Sequence, residues 1–155
     1  MQTLREPGLF RQHALIGGQW TPAASGKSVD VIDPATQSVV GTVPDMGATE
    51  TRAAIVAAAA AYGPWKKKTH GERATLLEAW HALMLEHIED LALILTTEQG
   101  KPLDEARGEI RYGASFVKWF AEEARRIEGH TIPSPTPDRR IVVLKKPVGV
   151  CGIIT

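Results

Sequence analysis

The sequence predicts an α/β protein, and three features carry that prediction. Short valine-rich segments punctuated by Gly and Pro fill the first third, helical apolar periodicity runs from about residue 49 to 127, and a nearly continuous apolar run, Val148 to Ile154, follows. A short run that is apolar on every position reads as a strand buried on both faces of a parallel sheet.

Composition narrows the function classes first. The 155 residues carry 18 Lys+Arg against 18 Asp+Glu, with 43% hydrophobic residues, so the chain lacks the basic excess of a nucleic-acid module. Its one cysteine excludes an internal disulfide framework and a multi-thiolate zinc site. No segment approaches the roughly 20 apolar residues that span a bilayer. Met1 to Phe10 contains Glu6 and Pro7 and has no signal-peptide core. The expectation is a cytoplasmic protein with neither nucleic-acid nor membrane partners.

The elements follow in order. His13–Ile16, the pair Gly17-Gly18 and then Gln19-Trp20 read as two strands joined at a glycine turn. Val29–Ile32 and Ser38–Val43 are further strand-like runs, separated by a turn starting at Asp33-Pro34; together these pieces predict a β-meander. Thr49 as cap, Glu50 in the first turn and Ala53–Ala61 predict a helix that Gly63-Pro64 stops. The triplet Lys66–Lys68 reads as a solvated loop. Thr69-His70-Gly71-Glu72 fits a capping box, followed by Leu76, Leu77, Trp80, Leu83, Met84, Ile88 and Leu91 at helical spacing. A break near His87 is expected, with Leu91–Leu95 deeply buried beyond it.

A further helix is predicted from Leu103 to Ile127, stopped by Gly129. Leu103, Ala106, Ile110, Gly113, Val117, Phe120, Ala124 and Ile127 form one seam; Tyr112, Phe116 and Trp119 form a second stripe. Gly108 and Gly113 each cost about 1 kcal/mol relative to Ala inside a helix, which predicts close backbone packing at both. Thr131–Pro137, with three prolines, reads as a linker, and Arg139–Lys146 as a strand. An interior parallel strand at 148–155 needs neighbours on both edges and helices on both faces. The expectation is therefore the front part of a larger α/β protein.

Leu15-Ile16-Gly17-Gly18-Gln19-Trp20, Asp33-Pro34-Ala35-Thr36, Glu98-Gln99-Gly100-Lys101-Pro102-Leu103 and Pro147-Val148-Gly149-Val150-Cys151-Gly152-Ile153-Ile154-Thr155 together resemble the N-terminal part of an aldehyde dehydrogenase. Ala114–Glu123, with Gly129-His130-Thr131-Ile132-Pro133, is similar to the succinate-semialdehyde dehydrogenase branch. The resemblance implies the N-terminal portion of the aldehyde dehydrogenase fold: 1–138 in the cofactor-binding domain, 139–147 a strand of the oligomerisation region, and 148–155 the first strand of a Rossmann-like sheet, with the catalytic domain absent. It implies, for the intact enzyme, a homo-oligomer using NAD or NADP. That enzyme would oxidise succinic semialdehyde to succinate through a cysteine thiohemiacetal and thioester. Other aldehydes, such as glutarate semialdehyde, and a non-catalytic assembly module remain alternatives.

In the family the nucleophile, the base and the oxyanion asparagine lie beyond the residues matched, so no catalytic residue is assigned. Cys151, amid apolar neighbours without a charge to lower its pKa, reads as an inert small hydrophobe. The five histidines show no metal spacing; His81 and His87, six apart, lie on different helix faces. By resemblance, Ile154 and Thr155 lie against the cofactor, although Ile154 suits a core position equally well. Tyr112 and Phe116 match helix positions lining the family's substrate tunnel, and would look the same as core residues. Arg107 and Arg111 are expected in solvent-facing salt bridges with Glu105 and Glu109.

Overall fold

The computed structural model describes residues 3–154. After a 3-10 turn at Pro7–Leu9 come four strands: β1 (Ala14–Ile16), β2 (Gln19–Thr21), β3 (Ser28–Ile32) and β4 (Val39–Pro44). Four helices follow: α1 (Ala48–Lys67), α2 (His70–Glu86), α3 (Ile88–Gln99) and α4 (Leu103–Ala124). The final strands are β5 (His130–Ile132) and β6 (Ile141–Val143).

The strands form three separate antiparallel pairs, β1–β2, β3–β4 and β5–β6, in place of one meander. The first hairpin pairs Ile16 with Gln19 across Gly17-Gly18. Both glycines have positive φ, 58° and 82°, the backbone that a two-residue turn matching strand twist demands. Between β3 and β4, Asp33 Oδ1 accepts the Ala35 N–H at 2.8 Å; this side-chain turn is why Asp33-Pro34 ends the strand.

The N-cap of helix α1 lies two residues before the expected Thr49. Gly47 is the N-cap, and the Glu50 carboxylate accepts the N–H groups of Gly47 and Ala24, both at 2.9 Å. Gly63-Pro64 does not stop the helix, which continues to Lys67. Pro64 lies in the last turns, where losing one amide donor breaks a single hydrogen bond and the chain beyond it is short. The predicted capping box on α2 is present: Thr69 Oγ1 accepts the Glu72 N–H at 3.2 Å, and Glu72 Oε2 accepts the Thr69 N–H at 2.7 Å. The break falls at His87, whose φ of −99° and ψ of 19° leave the helical region between α2 and α3. Gly100 closes α3 in the left-handed conformation, its N–H donating to the Thr96 carbonyl.

Helix α4 packs on α2 and α3, and the contact is built on small residues. Ala74 of α2, Ala92 of α3 and Ala106, Ala114 and Ala121 of α4 are completely buried, whereas no large side chain is. Alanine at these points lets helix axes approach closely. The predicted seam is therefore shifted: Ala114 and Ala121 face inward while Phe120 is exposed. Leu91–Leu95 is half-buried except for Ala92, not deeply buried throughout. Close packing at the helical glycines is not seen either. Gly108 faces open space, and a Cβ on Gly113 would meet only the Met84 methyl at an ordinary 3.8 Å.

Polar links hold the periphery. Asp90, 4% exposed, accepts the backbone N–H groups of Arg5 and Glu6 at 3.0 and 2.8 Å, fastening the N-terminal segment to α3. Those two donors hold its carboxyl below the ordinary value of 3.8. Arg107 pairs with Glu89 at 2.7 Å and with Asp104 at 2.6 Å, not with Glu105 or Glu109. Glu109 instead pairs with Lys101. The helix ends at Ala124, three residues before its predicted end at Ile127. Gly129 serves β5 instead, because a Cβ there would lie 2.3 Å from the Val143 carbonyl oxygen of β6. Thus the start of the expected linker, Thr131 and Ile132, belongs to strand β5.

The expected strand at 148–155 has no ladder partner among the described residues. Residues 144–154 form no strand, and Val148, Ile153 and Ile154 are 93%, 86% and 100% exposed. A strand exists only through hydrogen bonds to a neighbour, and neither edge of this segment has one.

Candidate functional site

Two regions carry the residues that the sequence singled out. The first is the outward face of α4. Tyr112 and Phe116, one turn apart, meet edge to face with ring centroids 4.8 Å apart and planes at 82°. Helical i, i+4 spacing brings them together, and the alanines on the opposite side turn this stripe away from α2 and α3. Tyr112 is 66% and Phe116 48% exposed, with Trp119 and Phe120 exposed beside them. The result is an aromatic ledge, not a core contact.

The second region is the segment from Pro147 onward, which lies along α1. Tyr62 donates its hydroxyl to the Pro147 carbonyl at 3.3 Å. Beyond this anchor, Gly149, Val150 and Cys151 border a cleft of about 510 Å³ against Ala58, Ala61, Tyr62, Pro64, Trp65 and Lys68 of α1 and its C-terminus. Cys151 is exposed, contrary to its expected place inside a strand. Its Sγ points weakly at the Gly149 carbonyl, 3.8 Å away; no imidazole or carboxylate is bonded to it that could act as a base. Ile154, fully exposed, touches neither Tyr112 nor Phe116, and Thr155 lies outside the described residues. Ile154 is therefore not brought together with Tyr112 and Phe116.

The histidines are dispersed. His81 Nδ1 lies 3.0 Å from the Ala114 carbonyl, a bond between α2 and α4 that spacing alone did not reveal. Among the described residues no three His, Cys, Asp or Glu side chains converge as a metal cluster would require.

Two of the sequence segments quoted above do meet. Gly100 packs on Pro34, so closely that a Cβ would lie 2.7 Å from Pro34 Cγ. Asp33, Ala35, Thr36, Thr96, Thr97 and Gly100 share one cleft. This junction sets the β3–β4 turn against the end of α3. The sequence also gave no hint that Lys66 and Arg73 border one cleft with Lys145 and Lys146, because the two groups lie more than seventy residues apart.

Comparison with known proteins fits this arrangement. The sequence profile described as "Aldehyde dehydrogenase family" matches residues 20–155. The chain is 54% identical over 152 residues to "Succinate-semialdehyde dehydrogenase [NADP(+)] GabD" of Escherichia coli (strain K12), covering 98% of this chain and 32% of that protein. It is 53% identical over 155 residues to "3-sulfolactaldehyde dehydrogenase" of Pseudomonas putida, covering 100% and 32%. The crystal structure of succinate-semialdehyde dehydrogenase from Burkholderia pseudomallei superposes with a TM-score of 0.94 at 54% identity, over 96% of this chain and 31% of that one. The chain thus spans about a third of the length of the relatives it matches. With most of its residues inside the family profile, this chain belongs to the aldehyde dehydrogenase family.

Proposed function

We propose that this chain is the N-terminal scaffold of an NAD(P)-dependent dehydrogenase whose substrate is an aldehyde with an acid group at its far end, succinic semialdehyde first among them. What supports the reading is similarity over essentially the whole chain to relatives named for such substrates, a carboxylate-tipped aldehyde in one case and a sulfonate-tipped one in the other. Within this assignment Tyr112 and Phe116 contribute an aromatic wall to the substrate passage. Arg107 is already neutralised by Glu89 and Asp104, so the cation that holds the acid end lies elsewhere.

The described residues do not by themselves form a nicotinamide site. Gly149 and Gly152 sit in extended chain instead of a turn opening a helix, and Ile154 stands free in solvent. No hydride or thiolate step is therefore assigned to this chain. Its work is to shape and support. On the same reading the exposed β5–β6 hairpin, with Ile141, Val142 and Leu144 outward, is an oligomer contact.

The test is steady-state kinetics on a polypeptide extended to the length of the relatives, with NAD and with NADP. Succinic semialdehyde should exceed an uncharged aldehyde of equal length by about tenfold or more in kcat/KM. An uncharged aldehyde used equally well would overturn the substrate class. The 155-residue chain alone should show no turnover; measurable turnover by it would refute the scaffold role.

A further inference from the structure

We propose that the cleft between the C-terminal end of α1, the first turn of α2 and residues 145–147 binds a small phosphate-bearing anion. The cleft encloses about 320 Å³ and is lined by Trp65, Lys66, Arg73, Ile127, Lys145, Lys146 and Pro147, four cations and no carboxylate. That volume lies at the lower end of the range for small-molecule sites.

The charge is concentrated here against the composition, since the chain as a whole has a net charge of +0. None of the four cations has a carboxylate partner within salt-bridge distance among the described residues. The same is true of Arg5, Arg11, Lys27, Arg52, Lys67, Lys68, Arg111 and Arg140; what distinguishes these four is that they border one cleft. Glu72, next to Arg73, accepts the Thr69 N–H and hydroxyl and keeps its negative charge close to Arg73. The neighbouring cleft, which shares Ile127 and Lys145, carries Glu123 and Glu128. The positive charge is thus least offset at Lys66 and Lys146.

The fold also holds these groups in place. Tyr62 ties α1 to Pro147, Lys66 Nζ sits 4.9 Å over the Tyr62 ring, and the half-buried Arg73 donates to the Lys68 carbonyl. A planar, forked guanidinium flanked by ammonium groups suits a phosphate oxygen cluster. Trp65, Ile127 and Pro147 offer an apolar floor for an organic body attached to it. This site does not depend on the dehydrogenase reading and uses neither Tyr112 and Phe116 nor Ile154.

The experiment is calorimetric titration of the full chain with inorganic pyrophosphate, ADP and adenosine. Both anions should bind, adenosine should not, and affinity should fall as salt rises. The double variant Lys66→Gln/Lys146→Gln should weaken pyrophosphate binding by about tenfold, while Lys27→Gln/Arg52→Gln, removing equal charge elsewhere, should leave it unchanged. If the double variant fails to fold, Lys146→Gln alone, on an exposed side chain, should still cost about threefold. ADP binding more tightly than pyrophosphate would assign the apolar floor to a nucleoside. The proposal is overturned if neither anion binds, if adenosine binds as well as ADP, or if the control variant loses as much affinity as the cleft variant.

Discussion

Gly100 offers a sharp test of how this scaffold holds together, because two separable costs meet at one residue. Its φ of +80° is a left-handed conformation, in which a Cβ costs about 1–2 kcal/mol. A Cβ would also lie 2.7 Å from Pro34 Cγ; relieving such an overlap within packed surroundings costs a further ~1–3 kcal/mol. Gly100→Ala should therefore lose about 2–5 kcal/mol, a large share of the roughly 5–15 kcal/mol typical of a folded domain. Gly18→Ala isolates the first cost: φ is +82° and nothing lies within 4 Å of the added carbon, so about 1–2 kcal/mol is expected. Gly108→Ala has neither cost and lies in the interior of α4 facing open space, which predicts a gain of about 1 kcal/mol. Urea unfolding followed by far-ultraviolet circular dichroism measures all three. If Gly100→Ala proves no worse than Gly18→Ala, the Pro34 contact contributes nothing and the junction between the β3–β4 turn and α3 is not a packed one.

Further outcomes follow from single groups. The Asp90 carboxyl titrates below its ordinary 3.8 in the folded chain, so its contribution is fully present above that value and fades as pH falls through the lower folded pKa. The gap in Tm between the natural chain and Asp90→Asn should be constant from pH 7 to about 5 and shrink at lower pH; a gap independent of pH would refute the anchoring role of its charge. Thr69→Ala removes the hydroxyl that caps α2 and should cost about 1 kcal/mol, read from the urea midpoint. Cys151 is exposed and should react stoichiometrically with a maleimide in the native chain, at a rate that denaturant does not raise; protection from the reagent would place it back inside a strand.

The local signals were the legible ones. Thr69 with Glu72, Gly17 with Gly18 and Asp33 with Pro34 each act through hydrogen bonds or dihedral preferences that span a few residues, and each formed the predicted boundary. The failures came where neighbours distant in sequence decide. Gly63-Pro64 looked like a stop because the cost of a proline was read without its position near the helix end. Gly129 looked like a helix cap, yet its reason is the Val143 carbonyl opposite. Val148–Ile154 has every property of a buried strand except a neighbour, and composition cannot supply one. The basic cleft was invisible for the same reason, being assembled from segments distant in sequence that meet where Tyr62 bonds the Pro147 carbonyl.

The alanine contact of α4 explains why the site residues face outward. A helix of this amphipathicity carries a choice of apolar stripes, and the one lined by Ala106, Ala114 and Ala121 is buried, leaving Tyr112, Phe116 and Trp119 outside. Burying the aromatic stripe would gain more apolar area per residue, at roughly 25 cal/mol per Å², but would hold α4 farther from its partners. Small residues close that distance and fix the helix by shape, so the larger side chains are free to present a surface. On the proposed reading that surface is a substrate wall, and its rigidity comes from residues with almost no side chain at all. Ala114→Leu should therefore disturb the ledge from behind, displacing α4 and altering the edge-to-face Tyr112–Phe116 contact seen in near-ultraviolet circular dichroism, while Glu105→Leu on an exposed position of the same helix should not. An unchanged spectrum in Ala114→Leu would show that the ledge is set by its own two rings and not by the packing beneath it.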